Sequence, residues 1–450
     1  MSHSNSVKYI LLGGEEGIGA SAHYLQFDRC GIMLDAGSDP HTTGEAGLPQ
    51  YSLLKKQPMD AIVITHAHFD HIGSLPVAIQ HFPYARVYMT PATVELTEQM
   101  LFHYLQVQRK KGVGNDELLY DEEFLEKIHF IYQSFDYESP FPLHSLEHSG
   151  IQFAFYDAGH ILGSAGVLIE WKGKRIFYTG NTRNSAQFIL KGAKYPEPPV
   201  DVLITESTYG ANPEAEKIKK SAEVKRFAKE VSYRLRVGGV VLLPVFALGR
   251  TQEMLTMLHR LRMKNRIPTV PIYITGMGLK INKTYDRLLY KIYPEYRNEK
   301  LRAMTFDRWN PRRKLKGPAI LLATSGMMLP GTASFDFARE LVTSARNGVY
   351  FVGYADSETP GGLFREQKYE ALKQLFEADQ LAAQIEIFQF SAHSNRQELL
   401  SMIKQMKPLQ VIFTHGDRTA LQWMQENTRT ILPMSKTMIP EKGQWYTFFI

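Results

Sequence analysis

The sequence predicts a layered α/β protein in which one domain is split by an inserted, doubly wound second domain. Three observations carry this. Short β-branched runs fill residues 1–208, alternating helix and strand patterns fill 209–390, and the earlier grammar returns over 391–450.

In the first stretch, KYILLGG, CGIMLDAG, DAIVITHAH, ARVYMT, IQFAFYDAGH, RIFYTGN and VDVLITEST each end in polar or glycine-rich turns. The informative polar residues therefore sit at strand ends, where the loops of a layered sheet carry chemistry. A charged, helix-like stretch from about 95 to 128 interrupts the series and is expected to pack across one face. In the second stretch, AEVKRFAKEVSYRL, GGVVLLPV, TQEMLTMLHRLRM, TVPIYITG, PAILLATSG, FARELVTSA and GVYFVGYA alternate helical and strand periods, as a parallel sheet wound on both faces requires. The last stretch, with FQFSAHSN and VIFTHGD, again runs from strand to polar residue. An insertion at a surface loop accounts for all three.

Composition narrows the function classes. At 450 residues with 44% apolar content, the chain can bury two ordinary cores. The single cysteine, Cys30, rules out a disulfide framework and a multi-cysteine zinc cluster, so any metal must sit on His, Asp and Glu. The same lone thiol points to a reducing, cytoplasmic setting. No apolar run reaches membrane-spanning length, so no membrane is expected as a partner. A formal charge of +6 is compatible with a polyanionic partner but does not identify one. No phosphate-loop signature occurs, and nucleotide hydrolysis is not expected.

The chemistry concentrates in THAHFDH. His66 and His68 can point one way from an extended segment, while Asp70 and His71 lie past the bend where a helix begins. Two pairs aimed at neighbouring points suit two divalent ions a few ångströms apart. A lone histidine is more often a solvated loop residue. Here His160 in YDAGHILGS and His415 in VIFTHGD also end apolar runs, as ligands drawn from several strand ends should.

These residues resemble the metallo-β-lactamase superfamily, and within it the β-CASP branch of nucleic-acid nucleases. The resemblance rests on LDAG with Asp35, H-x-H-x-D-H at 66–71, His160, YTGN, ITESTYG with Glu206, PVFALGRTQE, TSGMM, SAHS with His393, and THGD with His415, and it spans nearly the whole chain. It implies a metallo-β-lactamase αββα sandwich carrying an inserted β-CASP domain. It also implies that His66, His68 and His160 hold one zinc, that Asp70, His71 and His415 hold the other, and that Asp35 orients the ligand loop. Glu206 and His393 would work on the leaving group, the carboxylate orienting the imidazole and the imidazolium protonating the departing oxygen, with Asp70 counted beside them among the catalytic residues. The reaction implied is hydrolysis of a phosphodiester in RNA, in a cleft between the two domains.

One position departs from the family. RIFYTGNTRNS carries Asn181 where the family places an aspartate that bridges the two ions. A carboxylate offers two oxygens and a negative charge that offsets the repulsion between cations about 4 Å apart, whereas an amide offers one neutral oxygen. Of the two zinc sites, one is expected to be weak, and turnover is expected to be slow or absent. PGGLFRE at 360–366 departs from the family's usual run there as well.

Substrate contacts are assigned to FDRWNPRRKLKG, with Arg312 and Arg313 beside Trp309, to the backbone N–H groups of Ser325 and Gly326 in TSGMM, and to Arg250 after Gly249. EKIKKSAEVKR is a second basic run, more readily read as a solvated face. The expected partners are RNA or another single-stranded nucleic acid, together with a second copy of the chain or a nuclease paralogue. The competing class is a catalytically impaired relative that binds nucleic acid or a partner without cutting. A third class, a hydrolase of small esters or lactams, is disfavoured because an inserted domain would roof such a site.

Overall fold

The structure is a computed structural model and describes residues 6–449 except 16, 18, 43, 115–116, 145–149, 299, 302–303, 305, 311–314, 354 and 357. The chain divides into two compact units. The first comprises 1–186, 190–216 and 393–450, and the second comprises 187–189 and 217–392.

The first unit is a pair of seven-stranded sheets with helices outside them. One sheet runs in the order Trp445–Phe449, Ser6–Gly13, Ala22–Phe27, Cys30–Leu34, Ala61–Val63, Arg86–Met89, Tyr132–Ser134. Its first four strands pair antiparallel and the rest parallel. The other runs Lys436–Met438, Gln410–Thr414, Val202–Glu206, Lys174–Tyr178, Ala165–Trp171, Gln152–Asp157, Phe141–Pro142.

Period-2 alternation sorts each strand between two cores. On Val202–Glu206, Val202 and Ile204 point into the apolar layer between the sheets, beside Val7, Leu25, Val63 and Ile412. Leu203 between them points outward, onto Leu399, Met402, Ile403 and Met424 of the covering helices Arg396–Met406 and Arg418–Ile431. With both faces buried, these parallel strands read as continuous apolar runs, which is why the sequence shows them so plainly. The charged stretch after residue 90 forms two helices, Pro91–Lys110 and Glu122–Ile128. Thr90 caps the first by accepting from Thr93 N, with Pro91 in the first turn.

The second unit holds a six-stranded, all-parallel sheet in the order Asp307–Arg308, Ile272–Ile274, Ala319–Ala323, Val240–Pro244, Gly348–Phe351, Gln384–Ile387. Its helices include Lys220–Arg236, Arg250–Met263, Gly278–Ile292 and Ala333–Leu341. Leu242, Leu321 and Val349 pack with Phe335, Leu341 and Phe376 on one face, and the intervening Val241, Ile320 and Leu322 are buried too. Among the described residues, no helix is long and apolar enough to cross a membrane.

Candidate metal centre

Four strands of the first unit end at the functional side chains. Ala61–Val63 leads to His66 and His68, Gln152–Asp157 to His160, Val202–Glu206 ends on Glu206, and Gln410–Thr414 leads to His415. Asn181 follows Lys174–Tyr178. Three of these strands, Lys174–Tyr178, Val202–Glu206 and Gln410–Thr414, are parallel neighbours, so their carboxyl ends open on one side of the sheet.

The loop from His66 to His71 is held from below by Asp35. Its fully buried carboxylate accepts from Thr65 N at 2.8 Å, Thr65 Oγ1 at 2.9 Å, Tyr178 OH at 2.8 Å and His71 Nδ1 at 2.7 Å. The bond to Nδ1 leaves His71 Nε2 facing the centre, the orientation a carboxylate partner gives a metal-binding imidazole. Gly37 is required beside it, since a Cβ there would stand 1.7 Å from the Asp70 carbonyl oxygen.

Two groups of donors result. His66, His68 and His160 present ligand atoms within 4.8 Å of one another, and so do Asp70, His71 and His415. His68 Nδ1 lies 3.1 Å from His160 Nε2, and His71 Nε2 lies 3.4 Å from His415 Nε2. Zinc–nitrogen bonds of about 2.05 Å in a tetrahedron set neighbouring nitrogens about 3.3 Å apart. The spacing is therefore that of imidazoles converging on a common ion. The His66 and His71 rings, with centroids 4.1 Å apart, join the two groups.

Electrostatics agree with ligand roles. Burial holds His66 well below the usual imidazole value, and His71, His160 and His68 push it further down, so it stays neutral as ligation requires. Burial pushes the Asp70 carboxyl up, but His71 and His415 outweigh it and hold it well below the usual carboxylate range. Burial likewise pushes His71 down, but Asp70 and Asp35 outweigh it and lift it to about 10, so the space between those carboxylates favours positive charge. The nitrogen and oxygen donors fit a divalent cation of the zinc class.

Asn181 is 3% exposed, with Nδ2 at 3.5 Å from His66 Nε2 and a buried Oδ1 that has no hydrogen-bond partner. Turning the amide about its last torsion exchanges these atoms and brings the oxygen beside the donors. An unsatisfied oxygen on the wall of two donor groups fits a ligand to a cation.

Glu206 and His393 form a pair, with Nδ1 2.8 Å from Oε2. Glu206 is also held by Thr182 N at 2.5 Å and Thr208 Oγ1 at 2.6 Å. Burial pushes its carboxyl up, but His393 outweighs it and keeps the group ionised below the usual range. The His393 ring lies 4.5 Å from that of His160, between centroids, and its main chain is fixed by Arg183 Nη1 on the carbonyl and by the capping box of Asn395 and Glu398 that starts the next helix.

The residues assigned to substrate lie in the second unit. Arg250 is buried there, with its guanidinium donating to the Phe390 carbonyl and to Gln187 Oε1. Ser325 N donates to Ser334 Oγ at 3.0 Å, and Gly326 packs under Phe246. Arg312 and Arg313 lie outside the described residues. Sequence reading missed Thr65, Tyr178, Thr182 and Thr208. Each neighbours a motif residue, which is the one signal the sequence held for them.

Comparison with known proteins gives the same picture. Residues 17–225 match the metallo-beta-lactamase superfamily, 251–363 the Beta-Casp domain, and 379–433 the Zn-dependent metallo-hydrolase RNA specificity domain. Similar proteins include Endoribonuclease YSH1 of Eremothecium gossypii, 30% identical over 92% of this chain and 55% of its own length. The Cleavage and polyadenylation specificity factor 73 of Drosophila melanogaster is 30% identical over 91% of this chain and 60% of its own. An RNase J-like protein of Methanocaldococcus jannaschii is 28% identical over 95% of this chain and 98% of its own. The chain thus spans little more than half the length of the first two and nearly all of the third. A solved structure of a protein of unknown function from Enterococcus faecalis shares the fold, with a TM-score of 0.56 at 12% identity over 98% of this chain and 100% of that one. Matched in order by all three domain families, this chain belongs to the β-CASP branch of the metallo-β-lactamase superfamily.

Proposed function

We propose that the protein is a zinc-dependent ribonuclease acting in a reducing, cytoplasmic setting, with its turnover limited by Asn181. The observation that carries the reading is the placement of the Glu206–His393 pair against His160, so that a proton donor stands beside two donor triads. His66, His68 and His160 would hold one ion, and Asp70, His71 and His415 the other. When bound, such ions neutralise phosphate oxygens and lower the pKa of water to about 7, which makes a nucleophile available at neutral pH. Glu206 orients His393 through Nδ1, and the opposite ring nitrogen, Nε2, donates its proton to the leaving oxygen.

Asn181 limits this chemistry because its amide brings no charge to the space between the triads. The expected outcome of Asn181→Asp is tighter retention of the weaker ion, on the order of 10–100-fold, the scale of a lost partner at a metal site. Faster cleavage of a single-stranded RNA should accompany it. Zinc per chain by mass spectrometry and cleavage assays on RNA and on single-stranded DNA check both. Equal zinc content and equal rates for the two proteins would overturn the assignment. Asn181 also supports a second reading, a catalytically impaired subunit that binds RNA or a nuclease paralogue, and RNA binding with no cleavage by either protein would favour it.

A further inference from the structure

The second unit contains a basic groove that takes in Lys220 and Lys225 of the run EKIKKSAEVKR. It lies between the helices Lys220–Arg236 and Arg250–Met263, has a volume of about 1170 Å³, and includes Phe188 and Gln384 in its lining. Its floor is small and apolar, formed by Val224, Ala228, Met257 and Leu261. Its rims are cationic. Lys225, Lys229 and Arg236 follow one another along one helix at spacings of four and seven residues, which keeps them on one face, and Lys264 and Arg266 come from the end of the other helix and the turn after it. All five are exposed, and none makes an ion pair with another described residue. Glu230 is the one carboxylate among the lining residues.

Three further cations are already engaged, among them Arg234, whose Nη1 donates to the Ala345 carbonyl at 2.7 Å. Lys220 Nζ donates to the Gln187 carbonyl at 2.6 Å, and Arg260 Nη1 donates to the Phe188 carbonyl at 2.7 Å, so this part of the lining is a built structure. Tyr233, 56% exposed, stands on the rim one turn past Lys229, with the Arg234 guanidinium 5.0 Å from its ring centre. An aromatic this exposed costs apolar hydration unless a partner covers it.

From these observations we infer that the groove is a binding site for single-stranded nucleic acid, separate from the residues of the metal centre. Phosphates run along the two cationic rims and a base stacks on Tyr233. Cations tracking a backbone beside an exposed aromatic is the general chemistry of strand binding without sequence readout. The volume exceeds the roughly 300–1,000 Å³ of a small-molecule pocket, which leaves room for more than one nucleotide. An acidic peptide would satisfy the rims but not the ring.

The test uses the full chain treated with a chelator, so that binding is read apart from cleavage and a failure of the nuclease reading leaves it interpretable. The probe is a fluorescent 12-nucleotide oligouridylate. Lys225→Glu, Lys229→Glu and Lys264→Glu combined should weaken its binding tenfold or more and reduce the slope of log affinity against log salt by about 2, the expectation for three lost phosphate contacts on a single strand. Reversing Lys280, Lys283 and Lys291, exposed on another helix of the same unit, should change affinity less than threefold. Tyr233→Trp should retain binding and show fluorescence quenched by the oligonucleotide, while Tyr233→Ala should lose fivefold or more. Equal effects of the two triple reversals would overturn the site. So would an unquenched Trp, or displacement of the probe by an oligoglutamate peptide as readily as by unlabelled oligouridylate.

Discussion

The residue that governs the proposed chemistry most directly is Glu206. It is buried, its carboxyl is held below the usual range by His393, and three donors fix it, which suits the proposed role of orienting His393. In an Asn181→Asp background, Glu206→Gln should lower kcat by about 10²–10⁴, the range of a lost acid–base contribution, with KM and zinc content little changed. His393→Ala should fall as far and recover in part with added imidazole, a rescue that loss of a merely structural histidine would not show. A drop in zinc content that parallels the loss of rate would instead make the pair structural. At this scale the sequence exposed the charged and imidazole groups, because histidine and carboxylate at strand ends are uncommon enough to notice. It hid their supports. Tyr178 reaches Asp35 across 143 positions and Thr182 reaches Glu206 across 24, and hydroxyl residues are too common for such pairings to stand out before the sheets are assembled.

At the scale of elements, strands buried on both faces announced themselves as apolar runs, whereas the stretch read as helical from about 95 starts earlier, at Pro91, and splits into two helices. Sheet order was not legible, since it depends on pairings such as Val202–Glu206 with Gln410–Thr414 that join distant parts of the chain. The excursion of Gln187–Ile189 into the second unit was also hidden. It is stabilised there by Glu253, which accepts from Phe188 N and Ile189 N, and a single glutamate within a helical pattern carries no such sign. The ligand loop is an element of this kind, since its position is set by backbone contact. Ala36 N donates to the His71 carbonyl at 2.9 Å and Ser21 N to the Asp70 carbonyl at 2.9 Å, with Gly37 between them. Gly37→Ala forces a Cβ against the Asp70 carbonyl, and neither partner is a side chain that can swing away. Overpacking of this kind costs about 1–3 kcal/mol or more, and it falls on the backbone contact that seats the ligand loop. Circular dichroism should show the sheets intact while bound zinc falls to half or less. Full zinc content in Gly37→Ala would show that the loop reaches its ligand geometry without this seat.

At the scale of the whole first unit, each donor triad takes ligands from both sheets. His66 and His68 belong to the sheet that contains Ala61–Val63, and His160 to the one that contains Gln152–Asp157; Asp70 and His71 are likewise matched by His415. A bound ion therefore joins the two layers at the strand ends, where the apolar core between them gives way to polar loops. The unfolded chain scatters these ligands over nearly 350 positions and cannot reproduce the site, so metal binding adds directly to the stability of this unit. With zinc at 100 times its dissociation constant the gain is about 2.7 kcal/mol, which for a unit of this size corresponds to a rise in Tm of roughly 5 °C per ion. The second unit contributes no ligand to either triad and should melt at the same temperature with or without metal. Calorimetry before and after chelation, followed by zinc restoration, reads the two units in one experiment. Chelation should lower one transition, zinc should return it, and Asn181→Asp should widen the gap because it strengthens the weaker ion. If both transitions move together, or neither moves, the ions do not hold the two sheets of the first unit together.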